Sequence, residues 1–232
     1  NSGTQPVIFT RSDGTLVEMG GERSKASTRR KFPQVTANLA QRWCSGVLKI
    51  DTAARLLVND EAFLDGKTLV ITGERAEESP NRARYAKFEP HRKDLRHGRK
   101  PRWIDHWRPV HSWSNKQVWD IAERYSVTPF PPYFLGWGRG SCALCIFSSK
   151  DHWATIRIAL PEKFERVAAY EREFGYTIHR DHSVVELADM GTPFPLDPFW
   201  LKVATSKVFT LPIFMDNWTL PIGAYGDSCG PT

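Results

Sequence analysis

Cys142 and Cys145 stand in the stretch GRGSCALCIFSS, residues 138–149. A Cys-x-x-Cys pair lets two thiolates from one turn reach one metal ion; it can also cycle as a dithiol redox pair or simply pack. The glycines and serines around it permit a tight loop. The chain has four cysteines, the others being Cys44 and Cys229. Four thiolates would complete a zinc site or hold an iron–sulfur cluster. Cys229, in GDSCGPT, is placed as a ligand brought over from the C-terminal tail would be. The plainer alternative is a buried, inert Cys44 and a loose Cys229. A redox pair is the weaker reading, because the pair does not sit between a strand and a helix.

A second constellation is TGERAEESPNRAR, residues 72–84. Arg75, Arg82 and Arg84 can hold phosphate or sulfate through forked hydrogen bonds. Glu74, Glu77 and Glu78 can pair with those arginines or organise the loop, and a solvated salt-bridge loop is the alternative. The position of Gly73, directly beyond an apolar strand, favours a ligand site. RWCSGVLKI (42–50) gathers an arginine, a thiol and Lys49, although it also reads as a helix with Trp43, Val47 and Ile50 facing a core. His106, His111 and His152 lack zinc-protease spacing and read as structural histidines. There is no Walker-type loop and no GxGxxG.

Composition sets the frame. The chain has 232 residues, 41% hydrophobic and 25% charged, as expected of an ordinary globular protein of one large or two small domains. Thirty-two basic against 26 acidic residues give a net charge of +6, which suits phosphate-bearing partners. The excess concentrates in Arg82, Arg84, Lys87, Arg92, Lys93, Arg96, Arg99, Lys100 and Arg102. Tyr85, Phe88 and Trp103 are interleaved with these cations, a pattern that can stack on bases and makes DNA a candidate partner. No apolar run reaches the ~18 residues of a membrane span, so no membrane partner is expected. Without a visible secretory leader, and with too few cysteines for a disulfide scaffold, a cytoplasmic setting with reduced thiols is expected.

Several elements are predicted. GKTLVITG (66–73) is a strand whose unalternated apolar run suits burial on both faces of a parallel sheet. The loop beyond its carboxyl end is where open α/β sheets bind ligands. SWSNKQVWDIAERY (112–125) is a helix with Ser114 and Gln117 as a capping box and Val118, Ile121, Ala122 and Tyr125 on one face. LPEKFERVAAYEREFG (160–175) is a helix opened by Pro161 and closed by Gly175, burying Phe164, Val167 and Ala168 with Glu171 alongside. DTAARLLVND (51–60) is a helix capped by Asp51 or Thr52. Residues 7–20 form a hairpin turned at Asp13-Gly14. Beyond residue 190 the proline- and aromatic-rich tail is irregular.

Taken together, RWCSGVLKI, LVITGERAEESPNRA, WRPVHSWSNKQVWDIAERY and CALC resemble, in that order, the phosphoadenosine-phosphosulfate (PAPS) reductase-like family. It belongs to the adenine nucleotide alpha-hydrolase superfamily and includes sulfate-assimilation reductases and the ATP pyrophosphatases of DNA phosphorothioation. The resemblance spans residues 40–150. It implies an α/β fold, a parallel sheet flanked by helices, with an adenine nucleotide (ATP or PAPS) at its carboxyl edge. It also implies anion contacts from Lys49, Arg75 and Arg82, and a loop shaped by Gly73, Glu74, Glu78 and Ser79. By the same resemblance, Cys44, Cys142, Cys145 and Cys229 would ligate an iron–sulfur cluster of the 4Fe-4S type, with zinc as the alternative. The chemistry implied is sulfur transfer or reduction, with Cys229 as the nucleophile, or ATP pyrophosphatase chemistry.

This chain departs from the pattern in three places. Cys44-Ser45 replaces a tandem cysteine pair, no glutamate directly precedes Cys229-Gly230, and the family's N-terminal pyrophosphate loop is absent from these residues. A partner chain supplying the missing half would make up the last difference. The alternative function is a non-catalytic, zinc-stabilised binding or assembly module that contacts nucleic acid. The expected layout is a partial nucleotide-binding-like domain over 1–135 and a cysteine-bearing helical and irregular region over 136–232.

Overall fold

Asp13-Gly14 makes the turn the sequence predicts. The structure, a computed structural model, describes residues 7–19, 29–36, 38, 40–64, 66–99 and 101–226. Strands β1 (Val7–Thr10) and β2 (Leu16–Met19) pair antiparallel, with Thr10 opposite Leu16. Gly14 takes a φ of +84°, the left-handed region that glycine enters without strain, and Asp13 Oδ1 accepts the Thr15 N–H at 2.9 Å. The chain divides into two compact units, Asn1–Ser112 and Trp113–Thr232. Residue 135, after which the sequence reading places its boundary, closes the 3-10 turn Pro131–Leu135 inside the second unit.

In the first unit, α1 (Trp43–Ser45) runs through a wide π-helical turn, Gly46–Ile50, into α2 (Asp51–Asn59). The Asp51 N–H bonds to the Gly46 carbonyl, and the Thr52 hydroxyl donates to Val47 O at 3.0 Å. Asp51 and Thr52 are therefore not caps as predicted. The hydrogen-bond ladder is continuous here, so no orphan N–H groups need an acceptor. Trp43, Val47 and Ile50 are half-buried, and none reaches a closed core.

The sheet of this unit comprises β3 (Lys67–Ile71), β4 (Phe88–Pro90) and β5 (Trp103–Trp107), in the order β3-β5-β4. β3 and β5 are parallel, with Ile71 opposite Trp107; β4 joins β5 antiparallel, with Phe88 also opposite Trp107. The chain is thus α/β with a parallel strand pair. Burial of the apolar run on both faces is not what the structure shows. Leu69 and Ile71 are 48% and 58% exposed, sharing an open face with Phe88, Trp103 and Trp107. The sheet is amphipathic, and its buried side is anchored on the fully enclosed Ile104.

The second unit is helical. In α4 (Asn115–Arg124), Ser114 Oγ accepts the Gln117 N–H at 3.2 Å and Gln117 Oε1 accepts the Ser114 N–H at 2.8 Å, the predicted capping box. Its buried anchor is Trp119, whose indole N–H donates to Ala224 O at 2.8 Å, whereas Tyr125 is exposed. The predicted face is thus rotated toward the larger side chain, which finds a polar partner for its N–H. Helices α5 (Lys150–Ala159), α6 (Pro161–Phe174) and α7 (Val184–Met190) enclose Trp153, Ile156, Phe164 and Val184. α6 buries Phe164, Val167, Ala168 and Glu171, as predicted, and ends at Gly175 with a φ of +68°. Within the largely irregular tail, Asp197 caps a further helix, α8 (Pro198–Thr205). Among the described residues, no helix is long and apolar enough to cross a membrane.

Candidate anion loop and cysteine turn

Beyond β3 the chain passes through Gly73, makes the 3-10 turn Ala76–Glu78, and enters the short helix α3 (Pro80–Ala83). Ser79 is its N-cap, with Oγ accepting the Arg82 N–H at 3.3 Å. The loop is clasped to the segment after β5 from both sides. Ala76 N–H donates to His111 O at 2.8 Å, and His111 Nε2 is 2.8 Å from Arg82 O. A carbonyl only accepts, so that nitrogen carries the proton.

Arg75 and Arg82 converge on one carboxylate. Arg82 Nη1 donates to Glu78 Oε2 at 2.7 Å, and Arg75 Nε lies 3.5 Å from Glu78 Oε1. Arg75 also reaches Glu77 at 3.4 Å, and its side chain is only 15% exposed. The Arg82 side chain is 38% exposed, with no hydrogen-bond partner for Nε or Nη2 among the described residues. Gly73 stands in open space, since a Cβ built there would meet nothing within 4 Å. The Lys49 side chain, exposed on the wide turn, makes no hydrogen bond or ion pair with a described residue.

Glu74 belongs to a network that sequence reading missed. The buried Arg108 donates through Nε to Glu74 Oε2 at 2.6 Å, and through Nη1 to Glu89 Oε1 and Ala86 O, each at 2.7 Å. Its Nη2 lies 3.0 Å from His106 Nδ1, His106 Nε2 lies 2.8 Å from Thr72 Oγ1, and Thr72 Oγ1 lies 3.2 Å from Glu74 Oε2. Tyr85 packs against the guanidinium, 4.9 Å from ring centre to Cζ. Burial, reinforced by Arg108, pushes the His106 pKa below its ordinary value. Burial does the same to His91, whose ring is 5.6 Å from that of His106. The available signal was at the strand ends: LVITGER and IDHWRP each carry polar groups at or just past the carboxyl end of a strand, and parallel pairing brings the two ends together.

Part of the basic zone is spent on structure. Arg96 donates to Asp94 at 2.8 Å and to Asp105 at 2.5 Å, and holds the Asp94 pKa down to about 2. Arg102 Nε donates to Lys93 O at 3.2 Å, and Arg92 reaches Asp51 at 3.3 Å. Trp103 carries two cations, Arg96 at 4.4 Å and Lys67 at 4.5 Å. Tyr85 is taken by Arg108, while Phe88 is open at 58% exposure. Lys100 lies outside the described residues.

The cysteine turn leads into α5. Cys142 is exposed and Cys145 half-buried, and both are free thiols. Ser148 N–H donates to Cys145 O at 2.9 Å, and Ser149 then caps the helix. Two thiols on one turn fit half of a four-thiolate set. Cys44 is a half-buried free thiol on α1 of the first unit, and Cys229 lies outside the described residues. Among the described residues, no three His, Cys, Asp or Glu side chains converge as a metal site.

No family model and no solved structure matches the chain. It is 32% identical over 142 residues to an uncharacterized 37.8 kDa protein of the gpa 5′ region in Escherichia phage 186. The match takes in 61% of this chain and 40% of the phage protein, so the chain spans less than half the length of that relative.

Proposed function

We propose that this chain is a PAPS reductase-like module that binds an adenine nucleotide at the 72–84 loop. Its free Cys142 and Cys145 thiols would contribute to an iron–sulfur or zinc centre. The carrying observation is the arginine-bearing loop itself. It leaves the carboxyl end of a parallel strand, presents uncommitted donors of Arg82, and enters past a glycine whose surroundings are open. Arg75, held by Glu77 and Glu78, would add a second guanidinium beside the anion. Lys49 supplies a further exposed cation from the wide turn. A bound cluster would supply electron transfer or structural support, whereas the residues of this chain bind and orient phosphate or sulfate. Reductive or pyrophosphatase chemistry is proposed for the longer assembly to which such a module belongs.

Titration of the purified protein with ATP and with PAPS tests the anion site. Arg82→Ala is expected to weaken nucleotide binding by roughly tenfold or more, the ~1.5–3 kcal/mol of a charge-assisted bond. Unchanged affinity ends the reading. Anaerobic metal analysis tests the centre, with Cys142→Ser/Cys145→Ser expected to abolish iron or zinc content. A second reading, contact with single-stranded DNA, is favoured by the open Phe88 and Trp107 beside the basic zone. It requires binding that falls steeply with salt.

A further inference from the structure

The network beyond the parallel strands has only one consistent arrangement of protons. A guanidinium has donors and no acceptor, so His106 Nδ1, 3.0 Å from Arg108 Nη2, must offer its lone pair. A neutral imidazole then carries its proton on Nε2, which donates to Thr72 Oγ1 at 2.8 Å. The Thr72 hydroxyl in turn donates its own proton to Glu74 Oε2, a carboxylate oxygen that only accepts, at 3.2 Å. Arg108 Nε donates to the same oxygen at 2.6 Å and closes the ring. Both arms of the ring start at Arg108, which only donates, and both end on Glu74, which only accepts; Glu74 is the first charged residue of the arginine loop.

We infer that His106 and Arg108 are positioning residues that set the 72–84 loop through Thr72 and Glu74, and that they do so only with a neutral imidazole. Protonating Nδ1 would point an N–H at the Arg108 N–H and put two positive charges side by side. The ring would have to swing, releasing the Thr72 hydroxyl and with it one of the two donors on Glu74. The groups around His106 are Arg108 at the end of β5, Glu74 after β3, Glu89 opposite it on β4, and His91 just beyond β4, itself beside Arg92 and Lys93. The two carboxylates, engaged by Arg108, offset the added charge only in part, and burial and Arg108 outweigh them. Burial and Arg108 keep His106 below its usual 6.5 in the fold, so the unfolded chain takes up the proton first on acidification. The stabilising contribution is complete above about 6.5 and is lost as pH falls through that value toward the lower folded one.

As a control of anion affinity, this inference rests on the proposed function; as a statement about the loop, it stands alone. Imidazole nitrogen NMR at pH 7.5 should show His106 protonated on Nε2. A proton on Nδ1 would overturn the inference. Amide exchange across 73–84, corrected for intrinsic rates, should rise severalfold between pH 7.5 and 5.5. His106→Gln should flatten that pH profile. Arg108→Lys, which keeps the charge but loses the fork, should raise exchange at both pH values while the helices of the second unit keep their protection. A wild-type loop indifferent to pH, or unchanged by Arg108→Lys, refutes the positioning role. ATP affinity should follow the same profile. If the loop responds and ATP fails to bind at either pH, the anion-site reading falls and the positioning role survives; pH-independent ATP binding removes the coupling.

Discussion

The two units are ordered by different forces. In the first, the buried apolar side chains among the described residues are Pro33, Ala54, Leu57 and Ile104, and one face of the sheet is open. Its order comes from charged hubs: Arg108 binds Glu74, Glu89 and Ala86, Arg96 binds Asp94 and Asp105, and Arg11 forks onto the buried Asp60. In the second, Trp119, Trp137, Trp153, Ile156, Phe164, Val184 and Leu187 are buried, and the polar groups mostly finish helix ends. Apolar burial is indifferent to direction, whereas hydrogen-bonded networks demand it. The unit carrying the candidate site is therefore the one whose geometry depends on protonation and on single polar atoms.

The sharpest way to break this comparison is Trp153→Ala. Trp153 is 1% exposed, and its truncation should cost about 3–5 kcal/mol in urea unfolding, with lost amide protection across α5–α7. A cost below 1 kcal/mol would mean the second unit is not held by its core. Next comes Glu171, a buried carboxylate whose Oε1 accepts the Ile178 N–H at 2.9 Å and whose Oε2 accepts the Val184 N–H at 3.0 Å. Glu171→Ala strands both donors and should cost about 2–3 kcal/mol, read by the same method. The smallest effect is expected at Ile71→Thr on the open sheet face, with stability unchanged within about 0.5 kcal/mol. A large loss there would show that the face is covered.

Elements set by nearest neighbours were legible in the sequence. Ser114 and Gln117 declare a helix start, Pro161 and Gly175 bracket α6, and Asp13-Gly14 turns a hairpin. α5 and α7 carry comparable signals that went unread: Ser149 pairs with His152, and Ser183 with Glu186, in capping boxes. The wide turn was not legible, because no local residue type requires it. The arginine loop was placed by the strand before it, but its partners were not. Thr72 and His106 are 34 residues apart, and only strand pairing makes them neighbours. The open sheet face was misread because an apolar triplet signals a strand without saying what covers it.

The wide turn at Gly46–Ile50 has a bearing on Cys44 and Lys49. It behaves as a phase shifter in the helix. Each residue of an ordinary α-helix turns about 100°, so removing one residue from the bulge would restore regular winding and swing everything ahead of it by about that angle. The thiol would then point to another quarter of the compass relative to α2, with no change in its chemistry.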